Sequence, residues 1–186
     1  VLVDGHDVRE YPLDQLRGKA GVVPQKAVLF HGTLRENMQW GKKNAADDEI
    51  YEALKTAQAF DFVEEKAEGL ELYIQAGGKN LSGGQRQRLT IARALVRKPE
   101  ILIMDDSASA LDFATDARLR KAIKERTQDM TVFIVSQRAT TIRNADQIVV
   151  LDDGAMVGCG THKELFENCE IYREICLSQL SKEEVQ

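Results

Sequence analysis

Two different periodicities run along the chain. Residues 1–3 and 21–23 are short apolar runs that end at turn-forming residues, which predicts two strands at edges of a sheet. Residues 47–59 instead place apolar side chains at the spacing i, i+3, i+4, i+7, which predicts an amphipathic helix. These side chains are Ile50, Ala53, Leu54 and Ala57. Residues 34–97 are predicted to be mostly helical.

Three segments have the polar spacing that opens a helix. Residues 33–36, 82–85 and 161–164 each place Ser or Thr three positions before Glu or Gln. In such a capping box the hydroxyl accepts one backbone N–H of the first turn, and the Glu or Gln side chain accepts the N–H of the capping residue. The helix that follows Ser82 is predicted to end before Pro99, which cannot continue it. Its predicted buried stripe comprises Leu89, Ala92, Leu95 and Val96.

The period changes after this helix. Residues 101–104 form a continuous apolar run, which predicts a strand buried on both faces. A helix is predicted over residues 114–126, followed by strands at 131–135 and 147–151. Because helices separate these strands, we expect a parallel sheet. Residues 152–154 (Asp-Asp-Gly) predict a hairpin turn into one more strand.

The pattern suggests three segments. We expect residues 1–32 to belong to the sheet core, residues 33–97 to form a helical subdomain, and residues 98–186 to complete the sheet core and end in a helix. The helical block is then an insertion within the sheet.

Composition limits the kind of protein that the chain can be. The 186 residues are 43% hydrophobic and 30% charged, which suits a cytosolic globular protein with one sizeable core. A net charge of −5 gives no indication of the excess positive charge that binds nucleic acid, so we expect no nucleic-acid partner. No apolar run reaches the ~18–20 residues that span a bilayer. The chain starts at Val1 without Met, so we interpret it as a soluble fragment of something longer.

The cysteines do not indicate a metal site. Cys159, Cys169 and Cys176 form no CxxC pair and are accompanied by no cluster of His residues. We expect them to be reduced thiols.

Residues 81–85 (Leu-Ser-Gly-Gly-Gln) carry the first candidate chemistry. Ser82 at a helix N-cap, followed by two glycines, leaves backbone N–H groups unobstructed at the positive end of the helix dipole, where a phosphate can approach closely. Taken alone, the segment also fits an ordinary helix cap.

Asp105 and Asp106 carry the second candidate chemistry, at the carboxyl end of the strand predicted at 101–104. One carboxylate there can hold Mg²⁺, directly or through water, and a second can orient or deprotonate an attacking water. A pair of solvated strand-end acids is the alternative.

The order and spacing of these segments resemble a known family. Residues 81–85 and the strand that ends at Asp105 resemble the signature sequence and the Walker B strand of ATP-binding cassette (ABC) ATPases. Residues 23–25 (Val-Pro-Gln) are similar to the Q-loop of that family, and residues 109–112 (Ser-Ala-Leu-Asp) to its D-loop. Residues 32–37 (Gly-Thr-Leu-Arg-Glu-Asn) are most similar to exporter-type, multidrug-like transporters. The resemblance implies an α/β fold, that of a P-loop NTPase of the ABC type.

The resemblance also implies how the signature works. In this family the loop binds the γ-phosphate of an ATP held by the opposite subunit, so two domains sandwich two nucleotides. Ser82 and Gly84 are therefore expected to make that contact in trans, with Gly83 and Gln85 completing the loop. Asp112 is expected to cross the dimer seam.

The implied cofactors are ATP and Mg²⁺. Gln25 and Asp105 are expected to hold the metal and its water, and Asp106 occupies the position of the catalytic base. The implied partners are a second ABC ATPase domain and the transmembrane domains of an exporter, at the cytoplasmic face of the cell membrane.

Two positions depart from the family pattern. The catalytic base is normally Glu, and Asp106 is one methylene shorter, which places its carboxylate too far back to activate water well. The switch His is expected after Ser136, where the chain has Gln137, a side chain that can hydrogen-bond a phosphate but cannot carry a proton charge. Because the signature is intact, we expect one degenerate ATP site in a heterodimer. A homodimer in which Asp106 is a slow but working base is the alternative.

The chain contains no match to the phosphate-binding loop G-x-x-x-x-G-K-[ST]. We therefore expect these 186 residues to be inactive alone, although the leading hypothesis is an ATPase, the motor domain of an exporter. The rival hypothesis is a noncatalytic or regulatory ABC-type module that uses the fold only to dimerise.

Overall fold

The computed structural model describes residues 1–107, 109–126 and 129–179. Residues 108, 127, 128 and 180–186, which belong to the predicted segment 98–186, lie outside the described residues. The chain divides into two compact units, which we call unit 1 (residues 1–135) and unit 2 (from Ser136 onward).

Unit 1 combines short strands with helices. In chain order its described elements are β1 (Leu2–Val3), β2 (His6–Asp7), α1 (Leu13–Lys19), β3 (Ala20–Val23), β4 (Gly32–Thr33), α2 (Leu34–Gln39), α3 (Asp47–Thr56), α4 (Phe60–Glu64), β5 (Tyr73–Ile74), α5 (Gly83–Leu95), β6 (Ile101–Asp105), α6 (Phe113–Arg126) and β7 (Thr131–Val135). Two 3₁₀ turns, Gly69–Glu71 and Ala76–Gly78, flank β5.

A parallel sheet lies at the centre of unit 1. Its described strands have the order β3-β6-β7, and Ile103 of β6 lies opposite Val22 and Phe133 of the flanking strands. The predicted parallel arrangement is confirmed for β6 and β7, which β3 joins on the other side of β6. It is wrong for the strand predicted at 147–151, which in the described residues pairs antiparallel with residues 155–160 across the hairpin turn. The helical connections between the parallel strands are long enough for the crossovers that such strands require.

The strand over residues 101–104 differs from its prediction. Leu102 and Met104 are 0% and 2% exposed and face the core, whereas Ile101 and Ile103 are only half-buried. On the same face as Ile103, Val22 and Phe133 are 57% and 56% exposed. The prediction of burial on both faces is therefore wrong for the described chain, because the core side chains of unit 1 cover one face of the sheet.

The predicted helix starts are confirmed. Ser82 closes a complete capping box with Gln85 at the start of α5, and an equivalent box opens α2 at Thr33. The predicted stripe of α3 is buried, but the helix ends at Thr56 because Gln58 adopts φ +57°, and a separate helix, α4, begins at Phe60.

The first predicted strand lies outside the parallel sheet. Among the residues that the structure describes, β1 pairs only with β2, in a two-stranded antiparallel sheet. Residues 1–3 therefore form a hairpin rather than an edge of the central sheet, because their backbone groups pair with the strand that follows the turn at Asp4 and Gly5.

Unit 2 is a hairpin with short helices. Its described elements are α7 (Ala139–Ile142), β8 (Ile148–Asp152), β9 (Ala155–Gly160), α8 (His162–Asn168) and α9 (Glu170–Gln179). The predicted hairpin turn is confirmed, with Asp153 and Gly154 at φ +49° and +78°, and Thr161 caps α8 as predicted. Buried side chains, including Ile148, Leu165, Tyr172 and Cys176, form its core.

Candidate functional site

Asp105 and Asp106 mark the point where the central strand ends. Asp105 is the last residue of β6 and is exposed, and its place in the strand alternation puts it on the same face as Ile103. Asp106 has φ +41°, in the left-handed region, and its N–H donates to the Val135 carbonyl at 2.9 Å. The chain therefore turns sharply at Asp106, directly after the strand.

The structure brings Gln25 to this strand end. Gln25 follows β3 by two residues, and its Nε2 donates to Oδ2 of Asp106 at 3.3 Å. Because the Gln25 side-chain nitrogen donates to Asp106, the side-chain oxygen of Gln25 remains available to bind a metal ion. Carboxylate and amide oxygens are ligands that Mg²⁺ accepts, and Mg²⁺ usually keeps several of its waters. Gln25 and Asp105 therefore fit the predicted metal.

The loop after Asp106 is held by local hydrogen bonds. The Ser109 hydroxyl donates to the Asp106 carbonyl at 2.8 Å. Asp112 then caps α6, because its Oδ1 accepts the Thr115 backbone N–H at 2.9 Å. That backbone hydrogen bond, with a smaller contribution from the Thr115 side chain, lowers the pKa of Asp112. Asp112 thus has a structural role besides its predicted one.

The N-terminus of α5 is open to an anion. Ser82 Oγ accepts the Gln85 N–H at 3.2 Å and Gln85 Oε1 accepts the Ser82 N–H at 2.9 Å, so the Ser82 hydroxyl proton remains to be donated. The N–H groups of Gly83 and Gly84 have no partner within the helix. A Cβ on Gly83 would meet nothing closer than 3.9 Å, and one on Gly84 would meet the Ala110 carbonyl at 3.5 Å.

A cavity of about 350 Å³ lies beside this helix terminus. Its lining includes Gln25, Lys26, Lys79, Gly83, Arg86 and Gln87. We call it the basic cavity. It places segments of the predicted Q-loop and signature around one space, with Ala110 of the predicted D-loop also in its wall.

Gln137 lies at the start of unit 2 and its side chain is exposed. Its carbonyl accepts a hydrogen bond from Gln179 Nε2 at 2.8 Å, while Gln179 Oε1 accepts the Ala139 N–H at 2.9 Å. The segment after Ser136 is therefore tied to the last turn of α9.

Sequence reasoning missed the basic cavity and the residues that shape it. Arg86 and Gln87 follow the predicted signature, and Gln87 is 1% exposed although it is polar. The available signal was the helical period, which places residue 87, four positions after residue 83, on the same face of the helix.

An apolar patch with an exposed tryptophan lies after the predicted Q-loop. The rings of Phe30 and Trp40 stack with centroids 4.8 Å apart, and Trp40 is 70% exposed. Val28 is 42% exposed, and Arg93 lies over the Phe30 ring at 5.3 Å from its centroid. We call Val28, Phe30 and Trp40 the aromatic patch. Exposed patches of this kind mark interaction surfaces when they are contiguous.

The described residues contain neither a cluster of candidate metal ligands nor a helix that could cross a membrane. Across the ranges 1–107, 109–126 and 129–179, no group of three or more His, Cys, Asp or Glu side chains could hold a metal ion. Over the same ranges, no helix has the length and apolar character needed to cross a membrane.

Known proteins are similar to this chain in sequence and in fold. The sequence model of the ABC transporter family matches residues 1–109. The uncharacterized ABC transporter ATP-binding protein YfiB of Bacillus subtilis is 45% identical over 98% of this chain and 32% of its own length. Multidrug resistance protein 1 of Entamoeba histolytica is 41% identical over 100% of this chain and 14% of its own length.

A solved structure shares the architecture. The ATP-bound structure of a bacterial Atm1-family ABC exporter superposes with a TM-score of 0.92 and 34% identity, covering 97% of this chain and 32% of that chain. The fold is that of an ABC-type ATPase domain, with a parallel sheet and inserted helices. The chain belongs to the ABC transporter family, which confirms the predicted resemblance and fold class. It spans about a third of the length of YfiB.

Proposed function

We propose that this chain is part of the ATP-binding, ATP-hydrolysing domain that drives an exporter at the cytoplasmic face of a membrane. The observation that carries the proposal is the N-terminus of α5, where Ser82 caps the helix and two glycines leave the N–H groups accessible. A helix N-terminus of this kind favours a phosphate through its dipole and its free donors. The multidrug and exporter names of relatives support the export direction.

The signature residues act on a nucleotide held by a second ATPase domain. The Ser82 hydroxyl and the Gly84 N–H bind its γ-phosphate, while Gln85 keeps Ser82 in place through the capping box. Gly83 has to lack a side chain so that the phosphate can approach. Asp112 crosses the seam between the two domains while capping α6.

Gln25 and Asp105 hold Mg²⁺ together with its waters. The metal would supply positive charge to the phosphate oxygens on which negative charge develops during transfer. Asp106 takes the place of the base, and its hydrogen bond to Gln25 links the two strand ends. Mg²⁺–ATP is the cofactor that this arrangement requires.

The partner is a different ATPase domain, and the ATP site that contains Asp106 and Gln137 is the degenerate one. A shorter carboxylate and a neutral amide weaken this site, whereas Ser82–Gln85 complete the site of the partner. The rival hypothesis is a noncatalytic or regulatory module that uses the fold only to dimerise. It predicts that no substitution in residues 82–85 alters ATP turnover.

The aromatic patch contacts the transmembrane part of the exporter. Trp40 is exposed and its ring contacts Phe30, which lies five positions after Gln25, so contact at the patch would act on the segment next to Gln25. In the longer protein, Trp40→Ala is expected to lower transport several-fold while leaving thermal stability nearly unchanged, because exposed substitutions rarely destabilise. Transport and melting temperature measured on the same preparation test this, with unchanged transport as the contrary result.

The 186 residues alone bind Mg²⁺–ATP negligibly and therefore do not hydrolyse it. They contain no sequence that forms the cradle of backbone N–H groups and Lys around the phosphates. Calorimetric titration with Mg²⁺–ATP is expected to show negligible heat, and a dissociation constant in the low micromolar range would refute this point.

The decisive experiment replaces Ser82 in the longer protein paired with its natural partner. Ser82→Arg is expected to nearly abolish ATP turnover, because the Arg side chain fills the space into which the γ-phosphate of the partner must move. Ser82→Thr, which keeps the hydroxyl cap, is the matched control and should retain measurable turnover. If Ser82→Arg leaves turnover and transport unaffected, the signature does not serve a competent site.

A further inference from the structure

The segment that carries Gln137 takes a helix cap from another part of unit 2. Ala139 opens α7, and the Arg138 side chain before it makes no capping hydrogen bond. The N–H groups in the first turn of a helix have no partner within that helix. The Ala139 N–H instead donates to Oε1 of Gln179, the last residue of α9, at 2.9 Å. The end of α9 therefore caps the start of α7.

The same side chain also holds the residue that precedes this cap. Gln179 Nε2 donates to the Gln137 carbonyl at 2.8 Å, so one amide group pairs with the backbone of residues 137 and 139. Between them, the Arg138 N–H donates to Ser136 Oγ at 3.0 Å. We call residues 136–139 the switch segment. Its backbone is fixed by these hydrogen bonds, whereas the Gln137 side chain is exposed.

Buried side chains of α9 fix where Gln179 lies. Tyr172, Cys176 and Gln179 are related by i, i+4 and i+7, which places them on one face of the helix. Tyr172 and Cys176 are buried in the core of unit 2, to which Ala139 also belongs. The Tyr172 hydroxyl is hydrogen-bonded to Nδ1 of His162 at 2.8 Å. The face of α9 that carries Gln179 is therefore held against this core.

The contact with the switch segment requires the amide of Gln179. An amide supplies one acceptor and one donor at the same distance from the backbone, whereas Glu supplies no donor and Met supplies neither. Ala139 is 1% exposed, so its N–H has little access to water. A buried backbone donor that lacks an acceptor is costly. Loss of the Gln179 amide is therefore expected to displace the switch segment.

We propose that Gln179 is a positioning residue for the ATP site to which Gln137 belongs. By holding the switch segment, it keeps the Gln137 side chain directed at the γ-phosphate, while Gln179 itself contacts no nucleotide. This inference rests on the proposed function, in which Gln137 lies in that site. Because the γ-phosphate distinguishes ATP from ADP, the preference of the site for ATP depends on the last residue of α9.

The test measures this preference in the longer protein paired with its natural partner. The photoreactive nucleotide 8-azido-ATP labels this chain on ice, where turnover is negligible, and competition by ATP or by ADP gives the two affinities. Gln179→Met, similar in length but without the amide, is expected to lower the preference for ATP about threefold to tenfold, as loss of one hydrogen bond to a phosphate does. The affinity for ADP is expected to stay unchanged, which general damage to the site would not allow.

Amide hydrogen exchange shows where the variant acts. Exchange in residues 136–142, followed by mass spectrometry, is expected to be faster in Gln179→Met because the Ala139 N–H has lost its acceptor. Ser178→Ala is the matched control, since Ser178 lies in the same turn of α9 but its hydroxyl donates to the Ile175 carbonyl. It should change neither the exchange nor the preference for ATP.

Gln179→Glu is a second variant that keeps most of the side chain. It retains an acceptor for the Ala139 N–H and lacks the donor for the Gln137 carbonyl, so it should also lower the preference for ATP. The melting temperature of each variant verifies folding.

A double variant separates positioning from a purely structural role. Gln137→Ala is expected to lower the preference for ATP, and Gln179→Met added to it is expected to cause no further loss, because Gln179 acts through Gln137. An unchanged preference in Gln179→Met, or a full additional loss in the double variant, would overturn the proposal and leave the proposed function intact. If Gln137→Ala itself has no effect, the assignment of Gln137 to the ATP site is wrong, and the positioning role is wrong with it.

Discussion

Asp106 adopts a backbone conformation that is rare for residues with a Cβ. Its φ of +41° lies in the left-handed region, which Asp tolerates better than other non-glycine residues. The Val135 carbonyl accepts its N–H, and its own carbonyl accepts the Ser109 hydroxyl, so both sides of the residue are fixed. Such strained positions cluster at functional sites, and the strain here directs the Asp106 carboxylate toward Gln25.

Gly78 is the residue on which the position of Arg86 depends. Its φ is +68°, and a Cβ there would stand 2.7 Å from Arg86 Cδ and 2.9 Å from Arg86 Cγ. Gly78→Ala is expected to destabilise unit 1 by about 2–4 kcal/mol, because strain in the left-handed region adds to a clash with an anchored side chain. Urea unfolding, with its linear extrapolation, gives the free energy.

Gly77→Ala is the matched control for that clash. Gly77 has φ +72°, but a Cβ there would meet nothing within 4 Å. Only the strain of the left-handed backbone remains, so the free energy of unfolding is expected to fall by about 1–2 kcal/mol. Equal losses in the two variants would mean that the Arg86 contact contributes nothing to the stability of the loop.

Residue-scale chemistry was predictable only in part. The sequence indicated Gln25, Asp105 and Asp106 as strand-end residues because parallel strands end at one edge of a sheet. The hydrogen bond between Gln25 and Asp106 was not predictable, because these residues are 81 positions apart and their approach depends on the register of β3 with β6. Gln87 was missed because a single polar residue in a helix stripe does not reveal whether it is paired.

At the scale of elements, helix starts were the most predictable features. The capping boxes at Thr33, Ser82 and Thr161 formed as expected because each depends on atoms only three residues apart. Strand partners were less predictable. Residues 1–3 pair with His6 and its neighbour instead of joining the central sheet, since pairing depends on which partner the fold brings near.

The cap of α6 gives an element-scale prediction with a definite pH dependence. The Thr115 N–H binds the ionised Asp112 and lowers its folded pKa, so this interaction stabilises the folded state fully above the unfolded pKa of about 3.9. The stabilisation is lost as pH falls below about 4 and through the lowered folded pKa. Acid therefore weakens the start of α6.

Asp112→Asn tests this directly, because Asn caps a helix about as well as Asp but does not titrate. The variant is expected to match the parent chain at pH 7 and to lose less stability between about pH 4 and pH 2. Asp112→Ala, which lacks the cap at any pH, should be less stable at pH 7. Urea unfolding across this pH range checks both, and an identical acid loss in the parent and Asp112→Asn would exclude Asp112 as a contributor.

At the scale of the whole molecule, the class of fold was predictable because several short motifs had to occur in one order. Their residues lie in loops that follow strands or open helices, where local chemistry is readable from sequence. The exposure of one face of the central sheet was not predictable. The continuous apolar run at 101–104 indicates only that a strand could be buried on both faces, whereas in the described residues it is fully buried on one face.

The final prediction concerns the proposed asymmetry of the ATP sites. In the longer protein paired with its partner, Asp106→Glu with Gln137→His moves the carboxylate outward by about one C–C bond and adds an imidazole that can approach the γ-phosphate. Hydrolysis at this site is expected to rise, while coupling to transport stays the same or worsens because the site no longer holds ATP for long.

Site-resolved turnover measures this outcome when the catalytic Glu of the partner domain is replaced by Gln, so that only the site containing Asp106 can hydrolyse ATP. The single variants Asp106→Glu and Gln137→His are the controls, since a carboxylate and an imidazole that act together should give more turnover together than the two changes give separately. Vigorous turnover in this background before any substitution would identify Asp106 as a working base. The asymmetric heterodimer would then be wrong, and a homodimer with two equivalent sites would follow, because a shorter base that already activates water leaves no chemical reason for a specialised partner.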